Sequence, residues 1–392
     1  MVSTAALLAL TAGGGLAALA WLAILLLPAR PWDLRPIAED EEPPPEPRAW
    51  PSVTILVPAR NEASYLPRTL PALLAQDYAG EWRIVVVDDR SGDGTGELAR
   101  RLGAASGRLA VVAGAPLPEG WTGKVWALEQ GVQAAPVAAP YLLLTDADIL
   151  HAPGSLSRLV AEAEAGRLAL VSRMARLHCR SAAERLLIPP FLFFFNLLYP
   201  MRLVSRPASR VAAAAGGCVL LRRDALERAG GLGSIRGEVI DDVNLARRIK
   251  GLGEPIRLAV CRSDVVSLRE YGSVAAVWCM VRRTAFDELG YSVALLAGTL
   301  AGLALLFPLA PLLALAGLGL GAADAISWYW CAGLGGTGLL AWTLAVAAFR
   351  PTVRYFGLPS AWAWTLPLAG TLYGGMTLDS ARRHLTGRRR EW

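Results

Sequence analysis

The sequence predicts an α/β domain on a mostly parallel sheet, with an N-terminal transmembrane anchor before it and C-terminal transmembrane helices after it. Three observations carry that prediction. Short runs that are apolar at every position alternate with helical patterns from Val53 onward. Long apolar stretches lie near both ends of the 392 residues. The chain is 54% hydrophobic and only 18% charged, more apolar than soluble domains usually are.

In chain order, residues 5–27 are almost wholly apolar, matching the roughly 20 residues that a bilayer requires. Arg30 and Arg35 follow, and no basic side chain precedes them. An uncleaved anchor (1–29) with its N-terminus outside is therefore expected, because a secretory signal needs a positive start and a small-residue cleavage site. The acidic, proline-rich EDEEPPPEP (39–47), within 30–50, reads as an extended spacer without structure of its own.

Strands are expected at VTILVP (53–58), RIVVVDD (83–89), LAVVAG (109–114), YLLLTD (141–146), LALVSR (168–173) and CVLLRR (218–223), with helices over 62–76 and 96–102. Strands apolar throughout are covered on both faces, as in parallel sheets, which bind ligands at the carboxyl ends of their strands. Residues 51–290 are assigned to this domain. Within it, LLIPPFLFFFNLLYPMRLV (186–204) carries Pro189, Pro190 and Pro200 and is bracketed by Arg185, Arg202 and Arg206. A membrane-interfacial segment is expected there, with a buried helix or a true span as alternatives.

After Gly290 the chain is membrane-like (291–378): 291–323 and 326–349 are candidate spans, and 356–378, with Pro359 and Pro367 inside, is a weaker one. Three spans there would leave the basic tail (379–392) outside, whereas Arg350, Arg354 and the tail all favour the cytoplasm. Re-entry of the last segment, the preferred solution, or a hairpin bent at Pro308–Pro311 resolves the conflict.

The net charge of +6 owes much to Arg382, Arg383, Arg388, Arg389 and Arg390. A basic tail beside an apolar segment suits a membrane surface, and without aromatic-interleaved basic patches no nucleic-acid partner is expected. The five cysteines have no metal-ligand or redox spacing and three histidines are too few for a zinc site, so reduced interior thiols are expected.

Chemistry concentrates at strand ends. LLLTDADIL (142–150) finishes a buried strand with Asp146 and Asp148. Two carboxylates there repel each other unless a cation compensates them, and Mg²⁺ or Mn²⁺ takes such oxygen ligands and also holds phosphates. A solvated turn leading into a helix is the plainer alternative. VVVDDRSGDGT (85–95) ends another strand in Asp88 and Asp89, which can accept hydrogen bonds from a ribose or base, and its Gly-Asp-Gly turn opens a helix whose N-terminus favours anions. VPARNE (57–62) ends a third strand with Pro58, Arg60 and Glu62. GWTGKVWALEQG (120–131) sets Lys124 at a helix start, where it can neutralise a phosphate or lie on the surface. GEVIDDVNLARRIKGLG (237–253) places Asp241 and Asp242 at another helix start, as an N-cap or as a general base.

Together these segments, with GGCVLLRRDALERAGG (216–231), resemble the family 2 glycosyltransferases, inverting enzymes of the GT-A fold, over residues 52–290 and in that family's order. The resemblance implies that Pro58, Arg60, Glu62, Asp88 and Asp89 belong to the donor site and that Lys124 meets the donor's base or diphosphate. Asp146 would lie on the ribose side and Asp148, with Asp146, at the metal. Asp242 would be the catalytic base, and Asp241 stands where that motif usually has Glu. A narrower resemblance, to hopanoid-associated membrane glycosyltransferases, rests on the anchor, PLPEGWTGKVWALEQG (116–131), MVRRTAFDEL (280–289) and TLDSARRH (377–384). Processive members of the family carry Gln-x-x-Arg-Trp where this chain has MVRRT (280–284). Arg282 or Arg283 could still hold phosphate, but the sugar-stacking tryptophan is absent there, with Trp278 as a possible substitute.

The expectation is a multi-pass enzyme of the inner (cytoplasmic) membrane with its catalytic domain in the cytoplasm. It would move sugar from a nucleotide diphosphate sugar, such as a UDP-sugar, to the hydroxyl of a lipid, a hopanoid being one candidate. A polyprenyl-phosphate sugar transferase and a non-catalytic nucleotide-binding scaffold are the alternatives.

Overall fold

The computed structural model describes residues 3–34, 36–136, 139–323 and 326–387. Arg35, Arg388, Arg389 and Arg390, used above to orient the chain, lie outside them. The chain divides into two compact units, one formed by 35–178 and 201–270, the other by 1–34, 179–200 and 271–392.

Among the described residues the first unit has nine strands: β1 Val53–Ala59, β2 Trp82–Asp88, β3 Leu109–Ala113, β4 Tyr141–Thr145, β5 Ile149–His151, β6 Leu170–Met174, β7 Cys218–Arg222, β8 Ile256–Val260 and β9 Val265–Ser267. Seven form one sheet in the order β3-β2-β1-β4-β7-β6-β8, and β5 pairs with β9 in a small second one. β1 runs parallel to β2 and β4, β2 to β3, and β6 to β8. Its central strands are apolar on both faces, as in parallel sheets covered by helices. All seven residues of β1 are buried, and Ile55, Val57, Ile84, Val86 and Leu143 pack with Leu66, Leu70, Leu156 and Leu159 of the covering helices.

β7 is the exception. It runs antiparallel to both β4 and β6, pairing Thr145 with Cys218. Its beginning therefore lies beside the end of β4, so Gly216 and Gly217 arrive where the Asp146 loop departs. The Thr145 hydroxyl donates to the Gly217 carbonyl at 2.8 Å. Behind this contact His151 Nε2 lies 2.9 Å from Thr145 Oγ1 and its Nδ1 3.2 Å from Ser155 Oγ, which donates to Gln76 at 3.1 Å.

The acidic segment before β1 departs from the expected free spacer. Ile37 forms a β-bridge with Val260, and Ala38–Asp40 form a short 3₁₀ turn. Glu39 Oε1 accepts the backbone N–H groups of Arg262 (2.7 Å), Ser263 (2.8 Å) and Asp264 (3.1 Å), Asp40 pairs with Arg262, and Glu41 with Arg257. The acidic residues thus cap an exposed turn and cover the edge of β8.

The second unit is helical. Three of its helices are long and apolar enough to cross a membrane among the described residues: Thr4–Leu26, Val293–Ala322 and Trp328–Tyr355. The middle one bends at Phe307–Pro308, dividing into Val293–Leu306 and Leu309–Ala322. Small residues let backbones touch: a Cβ on Gly317 would lie 2.5 Å from Gly335 N, and one on Gly338 2.5 Å from Ala314 N. The last helix, Leu366–Leu385, is not among the three.

Most of the stretch read from sequence as membrane-interfacial (186–204) lies in a helix, Ala182–Leu198, packed within this unit. Its prolines do not break it, and Ser181 with Glu184 forms a capping box at its start. Phe193 is fully buried against Trp21 (ring centroids 6.3 Å apart) and Phe349 (5.2 Å), while Asn196 donates to the carbonyls of Pro31 (2.8 Å) and Asp33 (3.1 Å).

Candidate active site

The recess at the carboxyl ends of β1 and β4 is lined by Pro58, Lys124, Thr145, Asp146, Gly216, Asp241 and Asp242, over an apolar floor of Leu128, Leu144 and Leu245. Lys124 enters from the second residue of the helix Gly123–Ala134, and Asp241 and Asp242 open the helix Asp241–Gly251. Neither carboxylate is the N-cap, which is Ile240. Asp241 and Asp242 stand in the first turn, where the helix dipole favours negative charge.

Lys124 Nζ lies 2.9 Å from Asp146 Oδ1 and 3.5 Å from Asp241 Oδ2. Asp242 accepts two backbone N–H groups, from Gly216 at 2.6 Å and from Val243 at 2.8 Å. Position 216 needs glycine for space: a Cβ there would meet Lys124 Nζ at 2.8 Å and Asp242 Oδ2 at 3.2 Å. Burial and the neighbouring charge of Asp241 push the Asp242 carboxyl up to about 7, against the opposing pull of Lys124 and of the two N–H groups. Burial works against the Lys124 ammonium, but the charges of Asp146, Asp241 and Asp242 outweigh it and hold its pKa above the ordinary lysine value.

Beside this cluster sits a residue that sequence reasoning missed. Arg269 donates through Nε to Asp148 Oδ2 and through Nη2 to Glu62 Oε1, each at 2.6 Å, and its guanidinium lies over the Tyr65 ring, 5.1 Å from the centroid. The β5–β9 pair places it: Leu268 N donates to the Asp148 carbonyl at 2.9 Å, and Arg269 is the next residue. Burial and then the charge of Asp146 raise the pKa of Asp148, with Arg269 opposing. Burial also raises Glu62, again against Arg269. The only signal in the sequence was a lone arginine after a three-residue strand, too short to stand out.

The loops after β1 and β2 are laced together. Asn61 N donates to Ser91 Oγ (3.0 Å), Gly92 N to Asn61 Oδ1 (2.9 Å), Glu62 N to Thr95 Oγ1 (2.9 Å) and Ala63 N to Asp93 Oδ2 (3.1 Å). Gly94, at φ 85°, supplies the left-handed residue that turns this loop into its helix. Asp88 accepts Ser91 N at 3.1 Å, and buried Asp89 pairs with Arg60 at 3.5 Å and Arg90 at 3.6 Å. Asp88, Asp89 and Arg60 thus shape the loop beside the recess and are not in its lining.

Of the residues singled out from sequence, Pro58, Lys124, Asp146, Asp241 and Asp242 meet in the recess, and Glu62 and Asp148 meet through Arg269. Arg282 and Arg283 belong to the helical unit, where Arg282 pairs with Asp379 at 3.6 Å and Arg283 is exposed. Trp278, also there, donates to Asp379 at 2.9 Å.

A mostly parallel sheet with one reversed strand, and acidic and basic groups gathered at its strand ends, define an α/β domain of the GT-A class. Residues 54–230 match the model of glycosyl transferase family 2. The chain is 35% identical over 98 residues to a 4,4'-diaponeurosporenoate glycosyltransferase of Staphylococcus haemolyticus, covering 25% of this chain and 24% of that protein. It is 50% identical over 52 residues to an N-acetylglucosaminyltransferase of Mesorhizobium japonicum, 12% of each. These matches span about a quarter or less of the curated relatives' length. A similar fold is seen in the mannosyltransferase PcManGT from Pyrobaculum calidifontis, solved in complex with GDP-Man and Mn²⁺. The TM-score is 0.56 at 20% identity, covering 98% of this chain and 99% of that one.

Proposed function

We propose that the chain is a membrane-bound inverting glycosyltransferase that moves a sugar from a nucleotide diphosphate sugar to the hydroxyl of a lipid. The observation that carries this reading is the Asp242 carboxyl, fixed by two backbone N–H groups beside Lys124 and Asp146. A carboxylate whose pKa sits near neutrality is suited to take a proton from an attacking hydroxyl, worth roughly 10²–10⁴-fold in rate. Lys124 is the cation that meets the charge left on the departing diphosphate. Asp241 helps keep Lys124 charged. Glu62, with Pro58 and the laced loops carrying Asp88 and Asp89, forms the wall against which the nucleotide rests.

Among the described residues no three His, Cys, Asp or Glu side chains gather as a metal site, so a divalent cation here would rest on the Asp146 and Asp148 pair. Asp146 and Asp148 offer oxygen ligands of the kind Mg²⁺ and Mn²⁺ take, and Glu62 Oε2 is buried without a hydrogen-bond partner. Asp146 and Asp148 would hold the ion, which supplies charge neutralisation for the diphosphate when bound. The Mn²⁺ and GDP-Man in the Pyrobaculum complex support both the cation and the class of donor.

The three candidate spans support a cytoplasmic membrane location. With the N-terminus outside, they would set the domain, Arg350, Arg354, Arg382 and Arg383 all on the cytoplasmic side. That arrangement has the last helix not crossing, and it suits a water-insoluble acceptor, a hopanoid being the candidate that the narrower resemblance suggests.

The test is to incubate membranes containing the protein with labelled UDP- and GDP-sugars and then extract the lipids. One labelled lipid, lost on adding a chelator, is expected. Label confined to water-soluble products or to long polymer would overturn the reading, and label on a polyprenyl phosphate would replace its acceptor.

A further inference from the structure

Arg269 lies where a cation is wanted. Its guanidinium donates to Asp148 and Glu62 at 2.6 Å each, and both acceptors are largely buried, with side chains 10% and 13% exposed. The arginine itself is more open, at 37%. Tyr65 presents its ring face to the same guanidinium, so Arg269 is held from three sides, only one of which, Asp148, belongs to the proposed ion pair of carboxylates. Asp146, the other carboxylate of the pair, is answered separately by Lys124. The chain therefore supplies one positive side chain for each carboxylate of Asp-Ala-Asp.

We propose that Arg269 is an exchangeable counter-ion: it occupies Asp148 until a divalent cation takes that carboxylate, then stays anchored by Glu62 and Tyr65 and turns its freed N–H groups to the diphosphate of the donor. The inference rests on the metal reading above and deepens it. A divalent cation and a guanidinium held on the same largely buried carboxylate repel each other, so ion and arginine compete for Asp148. Glu62 and Tyr65 give the released side chain a place to remain, and a guanidinium matches phosphate oxygens in pairs. Arg269 is in this view a competitor of the ion at Asp148 and a ligand for the donor.

The test uses the full chain in detergent micelles and Mn²⁺ alone, followed by electron paramagnetic resonance of the free ion, and then UDP and GDP in the presence of Mn²⁺. Arg269→Gln is expected to bind Mn²⁺ alone at least about tenfold more tightly than the parent and to bind the favoured nucleotide about tenfold more weakly. Arg269→Lys, which keeps the charge without the fork, is expected to fall between on both readings. Thermal unfolding of each variant separates these effects from a loss of fold. If Arg269→Gln unfolds, Tyr65→Leu, which loosens the anchor and leaves the charges in place, is expected to weaken nucleotide binding with Mn²⁺ affinity nearly unchanged. Parent-like Mn²⁺ binding in folded Arg269→Gln, or parent-like nucleotide binding in Tyr65→Leu, overturns the exchange while leaving the metal reading intact. Failure of both parent and Arg269→Gln to bind Mn²⁺ overturns the two together.

Discussion

Asp242 meets opposing demands. As the proposed base it must be ionised, yet burial and Asp241 push its carboxyl up to about 7, and Lys124 and two N–H groups pull it back. Below that pH the carboxyl is protonated and cannot act as a base. The kcat/KM profile for sugar transfer is therefore expected to rise with pH through an acid limb near 7. Lys124→Met removes the cation that favours the ionised form, so its acid limb should move to higher pH as well as lower the maximum. A Lys124→Met profile with an unmoved limb would contradict the electrostatic part of the account. At this scale, Asp146, Asp241, Asp242 and Lys124 were legible because each stood at a strand end or helix start in a recognisable run. Arg269 was not, because nothing local marks an arginine whose two partners lie 121 and 207 residues away.

The strands declared themselves through continuous apolar runs, since burial on both faces removes the alternation that would otherwise confuse strand with helix. The reversal of β7 was hidden: strand direction depends on which neighbours a strand pairs with, and its CVLLRR reads the same either way. The helix Ala182–Leu198 was also obscured, because two prolines argue against a helix until packing against Trp21 and Phe349 outweighs the backbone bonds they remove. The contacts behind the site carry their own prediction. Burial lowers the His151 pKa from 6.5 to about 4, so the folded state favours the neutral ring. The unfolded chain binds the proton first, so this stability is complete above pH 6.5 and is lost as the pH falls toward 4, by roughly 3 kcal/mol at most. The apparent Tm should fall over that range, and His151→Gln should show a smaller fall. In the helical unit, Gly338→Leu forces a side chain into the backbone of Ala314 and should lower the apparent Tm in detergent by several degrees. Gly336→Leu, where a Cβ meets nothing within 4 Å, should not. Equal effects would rule out the close backbone packing.

Across the whole chain, composition marks apolar stretches near both ends, but the two compact units do not follow the sequence boundaries, because 179–200 and 271–290, read as part of the α/β domain, belong to the helical unit. The acidic run before β1 escaped composition, because a proline-rich charged stretch looks like a linker whether or not its carboxylates find the N–H groups of a turn, as Glu39 does. Lys124, Asp146, Asp241 and Asp242, from two helices and the loop after β4, come together at the strand ends. The most direct test is sugar transfer by the full chain in membranes carrying Asp242→Asn, measured with nucleotide binding on the same preparation. The account predicts binding within about twofold of the parent and transfer reduced by roughly 10²–10⁴-fold. Near-parental transfer with donor bound would contradict it.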